Sequence, residues 1–74
     1  MSAAPDFNPA HLFGEVRRDL LDAEDALRAG LPGAGKMLQL ARDAATEARD
    51  LLPDTYVREL DEFEHALDER LRMI

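Results

Sequence analysis

Glu62-Phe63-Glu64-His65 has the spacing of a metal site. An E-x-x-H step on a helix projects a carboxylate and an imidazole to one side, and facing helices of a metal-binding bundle add further carboxylates. At about 100° per residue, though, Glu62 and His65 fall roughly 140–160° from the centre of the apolar stripe marked by Phe63 and Leu67. They are therefore expected at the surface. Asp61 and Glu69 flank His65 at i−4 and i+4, where surface ion pairing is the simpler role. A metal would need ligands shared across a dimer face, with Asp22 and Asp25 supplying the extra oxygens.

Gly30-Leu31-Pro32-Gly33-Ala34-Gly35-Lys36 matches G-x-x-x-x-G-K, the phosphate-cradling loop of nucleotide hydrolases. That chemistry also needs a Ser or Thr hydroxyl on magnesium and a preceding buried strand. Met37 stands at the hydroxyl position, and a helical pattern precedes the glycines. The stretch reads as a turn between helices, and no nucleotide is expected.

Nucleophilic catalysis lacks its parts. Ser2 is the only serine and there is no cysteine. His11, in the first turn of a helix, has no nucleophile to serve. The missing serine at a helix start also argues against an acyl carrier. The chain is expected to be no enzyme and to need no cofactor.

Hydrophobic periodicity gives three helices. Asn8-Pro9 opens the first, with Asn accepting from free N–H groups and Pro fitting the first turn. Phe7 and Leu12 have the spacing of a hydrophobic staple. Phe13, Val16, Leu20, Ala23 and Leu27 recur in steps of three and four, and Gly30 is a natural terminator. The second helix carries two stripes: Ala34, Leu38, Ala41, Ala45, Ala48, Leu52, and beside it Met37, Leu40, Ala44, Leu51. Together they cover roughly 160° of its circumference, which fits a middle helix touching two neighbours. Pro53 stops it. The third helix has Asp54 or Thr55 as cap and a stripe of Tyr56, Val57, Leu60, Phe63, Leu67, Leu71 and Ile74.

These spans, about residues 9–29, 34–52 and 54–73, predict an all-α small three-helix bundle over 9–74, after a flexible tail at 1–8. The competing architecture is a helical hairpin, kinked at Pro53, that dimerises into a larger bundle. At 74 residues without cysteine, stability rests on helix packing or self-association.

Sixteen acids against nine bases give a net charge of −7. A phosphate backbone or an anionic membrane would repel such a surface. No apolar run exceeds three residues, and Met1 to Phe7 lacks the basic and apolar marks of a secretory leader. The expected location is cytoplasmic. Residues 53–74 hold seven acids and three bases. On the third helix Glu59, Asp61, Glu62, Glu64, Asp68 and Glu69 form an acidic face relieved mainly by Arg58 and Arg72, suited to a basic protein partner.

Leu21 lies outside the core arc of the first helix, and Met73 on the polar side of the third. The leading expectation is a non-enzymatic acidic helical interaction module: an adaptor, co-chaperone, docking or small assembly subunit. Leu21, Leu40 and Leu51 are its expected anchors, with Glu59, Glu62, Glu64, Asp68 and Glu69 around them; the partner is another protein or a second copy. The alternative is an acidic inhibitor, such as an antitoxin, an immunity protein or a phage-encoded nucleic-acid mimic. A metal-binding bundle using Glu62 and His65 is third.

Overall fold

The computed structural model describes residues 7–73. Most of the tail at 1–8, and Ile74 in the third stripe, lie outside these residues. All regular structure described is helical: α1 (Pro9–Arg28), α2 (Ala34–Arg49) and α3 (Asp54–Arg72). No helix is long and apolar enough to cross a membrane among the residues described.

Each boundary has a local cause. Asn8 is extended and its Oδ1 accepts from the N–H groups of Ala10 (3.0 Å) and His11 (3.4 Å), with Pro9 following in the first turn. Phe7 stays half exposed. At the other end of α1, Gly30 adopts φ +70°, its N–H donates to Leu27 O, and the Leu31 N–H donates to Ala26 O. These two bonds form the Schellman closure that a left-handed glycine permits.

α2 ends three residues earlier than the periodicity implied. After Arg49 the chain tightens into i→i+3 bonds, with Leu51 N–H donating to Ala48 O at 2.9 Å. Pro53 is the physical reason, since it keeps Leu52 out of the α region. Leu52 still reaches the core from this turn. Pro53 itself, at φ −62° and ψ 157°, takes the cap position of α3, and no side chain caps that helix. Asp54 and Thr55 are thus helical residues, not caps. Asp54 adds its charge to the first turn, where the dipole favours an acid.

The three helices run up, down and up. Phe13 of α1 meets Tyr56 of α3, ring centroids 5.2 Å apart, and Glu24 meets Arg70 further along, so α1 and α3 are parallel. Arg42 reaches Asp68 and Arg49 reaches Asp61, so α2 opposes α3. The core is continuous: Phe13, Val16 and Leu20 from α1, Ala41, Ala45 and Ala48 from α2, Leu60 and Leu67 from α3, closed by Leu52. α1 packs more extensively on α2 than on α3. The alanines on the α1-facing side of α2 explain this, because small side chains let helix axes approach.

The chain is a small three-helix bundle, with α3 folded back onto the other two helices instead of extending end to end beyond Pro53. The second stripe of α2 departs from expectation. Neither neighbour covers it: Met37, Leu40 and Leu51 are exposed, because the alanine stripe, not this one, faces the shared core.

Candidate functional site

The fold pairs some of its acids internally and leaves others without a cation nearby among the described residues. Glu24 is only 4% exposed, although it sits within the apolar arc of α1. Its Oε2 and Oε1 accept from Arg70 Nε (2.8 Å) and Nη2 (2.9 Å), and Arg28, one turn on, donates to Oε2 at 3.0 Å. This fork joins α1 to α3. Hydrogen bonds from Arg70, opposed by burial and reinforced by Arg28, lower the Glu24 pKa to about 2. The same bond raises Arg70 above its ordinary value.

α2 spends its two arginines on α3. Arg49 donates to Glu64 Oε2 at 2.7 Å and pairs with Asp61; Arg42 pairs with Asp68 and lies 3.6 Å from Glu64 Oε1. The hydrogen bond to Glu64 raises the Arg49 pKa, and attraction from Glu64 and Asp61 adds to it. The acidic face of α3 is therefore relieved from α2, not by Arg58 and Arg72 along its own helix. A helix-by-helix reading sees only i±4 partners, and these cations come from 12 to 26 residues away.

The expected site residues consequently divide. Glu64 and Asp68 turn toward α2 and are held in ion pairs. Glu59, Glu62 and Glu69 remain on the exposed side of α3. Glu62 and His65 are both at the surface, and His65 Nε2 lies 3.8 Å from Glu69 Oε2. Among the described residues no three His, Cys, Asp or Glu side chains converge for a metal. Lys36 is exposed in the first turn of α2, just past Gly33 at φ +81°.

Leu40 and Leu51 come together on a different surface. Between α1 and α2, on the side α3 does not cover, two adjoining concavities share Asp19. Leu12, Leu51 and Ala44 line one end; Met37, Leu40 and Asp22 line the other. The floor is Val16, Ala41 and Ala48, the outer surface of the core. Leu40 is 60% exposed and Leu51 61%. Monomeric proteins carry scattered exposed leucines, but apolar side chains aligned along a concave seam are less common.

The two walls differ in chemistry. The α2 wall is the second stripe: Met37, Leu40, Ala44 and Leu51, interrupted by Glu47. The α1 wall is acidic: Glu15, Asp19 and Asp22. Glu15 has only exposed His11 beside it, at 3.2 Å. Among the described residues no cation lies within 4.0 Å of Asp19, Asp22 or Glu47. Leu21 is not part of this seam. It sits on the outer side of α1, beside Gly14, Arg17 and Arg18.

The leucines of the apolar wall were evident in the sequence; of the acidic wall only Asp22 was singled out, as an extra oxygen for a metal shared across a dimer face. The signal was present: Leu12, Glu15, Asp19 and Asp22 follow one another in steps of three and four, just beside the core arc. The arrangement sets an apolar wall beside an acidic one. No protein-family model, curated protein or solved structure matches the chain.

Proposed function

We propose that the protein is a non-enzymatic helical interaction module that docks another protein in the seam between α1 and α2. The reading rests on one observation: Met37, Leu40 and Leu51 stay exposed in a line along a concave surface, while among the described residues the core stripes of the three helices are buried or partly buried. Full burial of a Leu or Met side chain is worth about 1.5–3 kcal/mol. Covering three half-exposed ones would thus contribute roughly 3 kcal/mol before any polar contact. Such a surface suits an adaptor, docking or small assembly subunit. The acidic-inhibitor reading draws less support, because Asp61, Glu64 and Asp68 are already neutralised by α2.

The test is recovery of partners from the source cells with tagged chain, comparing wild type with L40D/L51D and with E59Q/E62Q. The module reading expects a stoichiometric partner that the first variant loses and the second keeps. Loss with E59Q/E62Q and retention with L40D/L51D would move the contact to α3 and reject the seam. Steep salt sensitivity in that case would favour the inhibitor.

A further inference from the structure

We infer that the occupant of the seam is a single amphipathic helix from a different protein, apolar along the edge facing α2 and basic along the edge facing α1. The inference rests on the docking reading above and adds the chemistry of the partner. Three features of the seam carry it.

The first is spacing. Met37, Leu40, Ala44, Glu47 and Leu51 advance in alternating steps of three and four, and Glu15, Asp19 and Asp22 advance by four and three on the facing wall. Two walls with that repeat on antiparallel helices form the groove that a fourth helix fills in an up-and-down bundle, at a crossing of about 20°. A strand or a loop would not match the repeat. The wall from Met37 to Leu51 is about 21 Å long at 1.5 Å per residue, so the occupant needs about four turns.

The second is charge. Asp19, Asp22 and Glu47 have no cation within pairing distance among the described residues, and α2 has committed Arg42 and Arg49 to α3. Any helix laid in the seam brings its flanking residues against these acids. Acidic flanks would be repelled, and neutral ones would leave the carboxylates partly desolvated. Arg or Lys at matching steps of three and four along one edge answers all three positions of the α1 wall.

The third is what the chain itself offers. A second copy placed face to face sets the acidic α1 wall either against its own counterpart or against the α2 wall of Met37, Leu40, Ala44, Glu47 and Leu51, and neither supplies a cation. The remaining exposed leucine of α1, Leu21, has Arg17 and Arg18 on one side and Asp22 and Asp25 on the other. It is a single leucine, not the apolar strip of about four turns that the seam requires.

The experiment is a titration of ¹⁵N-labelled chain with two synthetic helices of eighteen residues. Both carry leucines in steps of three and four; one has arginines along the adjacent edge and the other has glutamates there. The arginine helix is expected to shift the amides of Asp19, Asp22, Leu40 and Ala44 and to bind at least about tenfold more tightly than the glutamate helix. D19K/D22K, both exposed positions, should cost the arginine helix about tenfold, and E59K/E62K on α3 less than about twofold. Circular dichroism of each variant confirms that the fold is retained.

Equal binding of the two helices in the seam would overturn the basic occupant and leave the docking reading standing. Equal losses from D19K/D22K and E59K/E62K would reduce the effect to net charge and overturn it as well. Absence of shifts with either helix at about 1 mM, or a concentration-dependent dimer whose interface is the seam, would also reject it. The docking reading fails separately, through retention of the cellular partner by L40D/L51D.

Discussion

Replacing Glu24 by Gln removes one charge from the only buried acid of the described bundle and leaves its volume nearly unchanged. The carboxyl lies at about 2 in the folded chain against an ordinary value of 4.5. Each pKa unit corresponds to about 1.4 kcal/mol, so the fork with Arg70 and Arg28 has a ceiling of about 3.5 kcal/mol. The arginine side chains are 40% and 50% exposed, and water screens part of that attraction. About 1.5–2 kcal/mol is the expected cost of E24Q at pH 7. For a chain of this size that lowers Tm by about 8–12 °C.

The pH dependence gives the sign. A depressed carboxyl stabilises the fold fully above its unfolded value of 4.5, and the contribution is lost as pH falls toward about 2. Urea titrations followed by helical ellipticity at pH 7 and pH 3 should therefore show wild type well above E24Q at the first pH. More than half of that gap should have gone at the second. A gap of the same size at both pH values would refute the charge-based account, as would no gap at pH 7. E24Q/R70Q should cost less than the two single changes added together, because both remove the same interaction.

Four further outcomes follow from the packing. Leu60→Ala empties a fully buried site between the three helices and should cost about 3 kcal/mol in urea unfolding. Asn8→Ala removes the acceptor for two orphan N–H groups and should lower stability by about 1 kcal/mol, with fraying confined to the start of α1 in hydrogen exchange. Arg49→Ala breaks pairs with Asp61 and Glu64 and should cost about 1 kcal/mol at low salt, a loss that shrinks as salt is raised. L40D and L51D alter exposed positions and should leave unfolding free energy within about 0.5 kcal/mol of wild type, so their effect on binding can be read directly.

The helices were legible because each is amphipathic and bounded by residues with a backbone reason to stop a helix. Asn8, Gly30 and Pro53 act locally, and local causes survive in a single sequence. The stripes of α1 and α3 could be read for the same reason. Burial of Glu24 could not be read in full. An acid between Ala23 and Leu27 is visible as an anomaly, but its partner Arg70 is 46 residues away and depends on how α3 is rotated. The second stripe of α2 failed in the opposite direction. Its periodicity is as regular as that of the first, yet a stripe records only the capacity to be covered. Which stripe stays bare follows from tertiary packing, here from the alanines that draw α1 to one side of α2.

The expected site was half visible for the same physical reason. Leu40 and Leu51 were evident as apolar residues in surplus of a two-helix seam. The acids of α3 were equally evident, but Glu64 and Asp68 proved to belong to the internal α2–α3 contacts. Asp19, Asp22 and Glu47 have no such cation among the described residues, and only the pairing of α1 with α2 brings them beside the leucines.

Position-resolved photocrosslinking in the source cells tests the central claim most directly. A photoreactive phenylalanine analogue is placed in turn at positions 40, 51 and 62, which put probes on both ends of the seam and on the far side of α3. The docking account expects discrete adducts with the same second protein from positions 40 and 51 and none from 62. Adducts from 62 alone, or equally from all three positions, would contradict it.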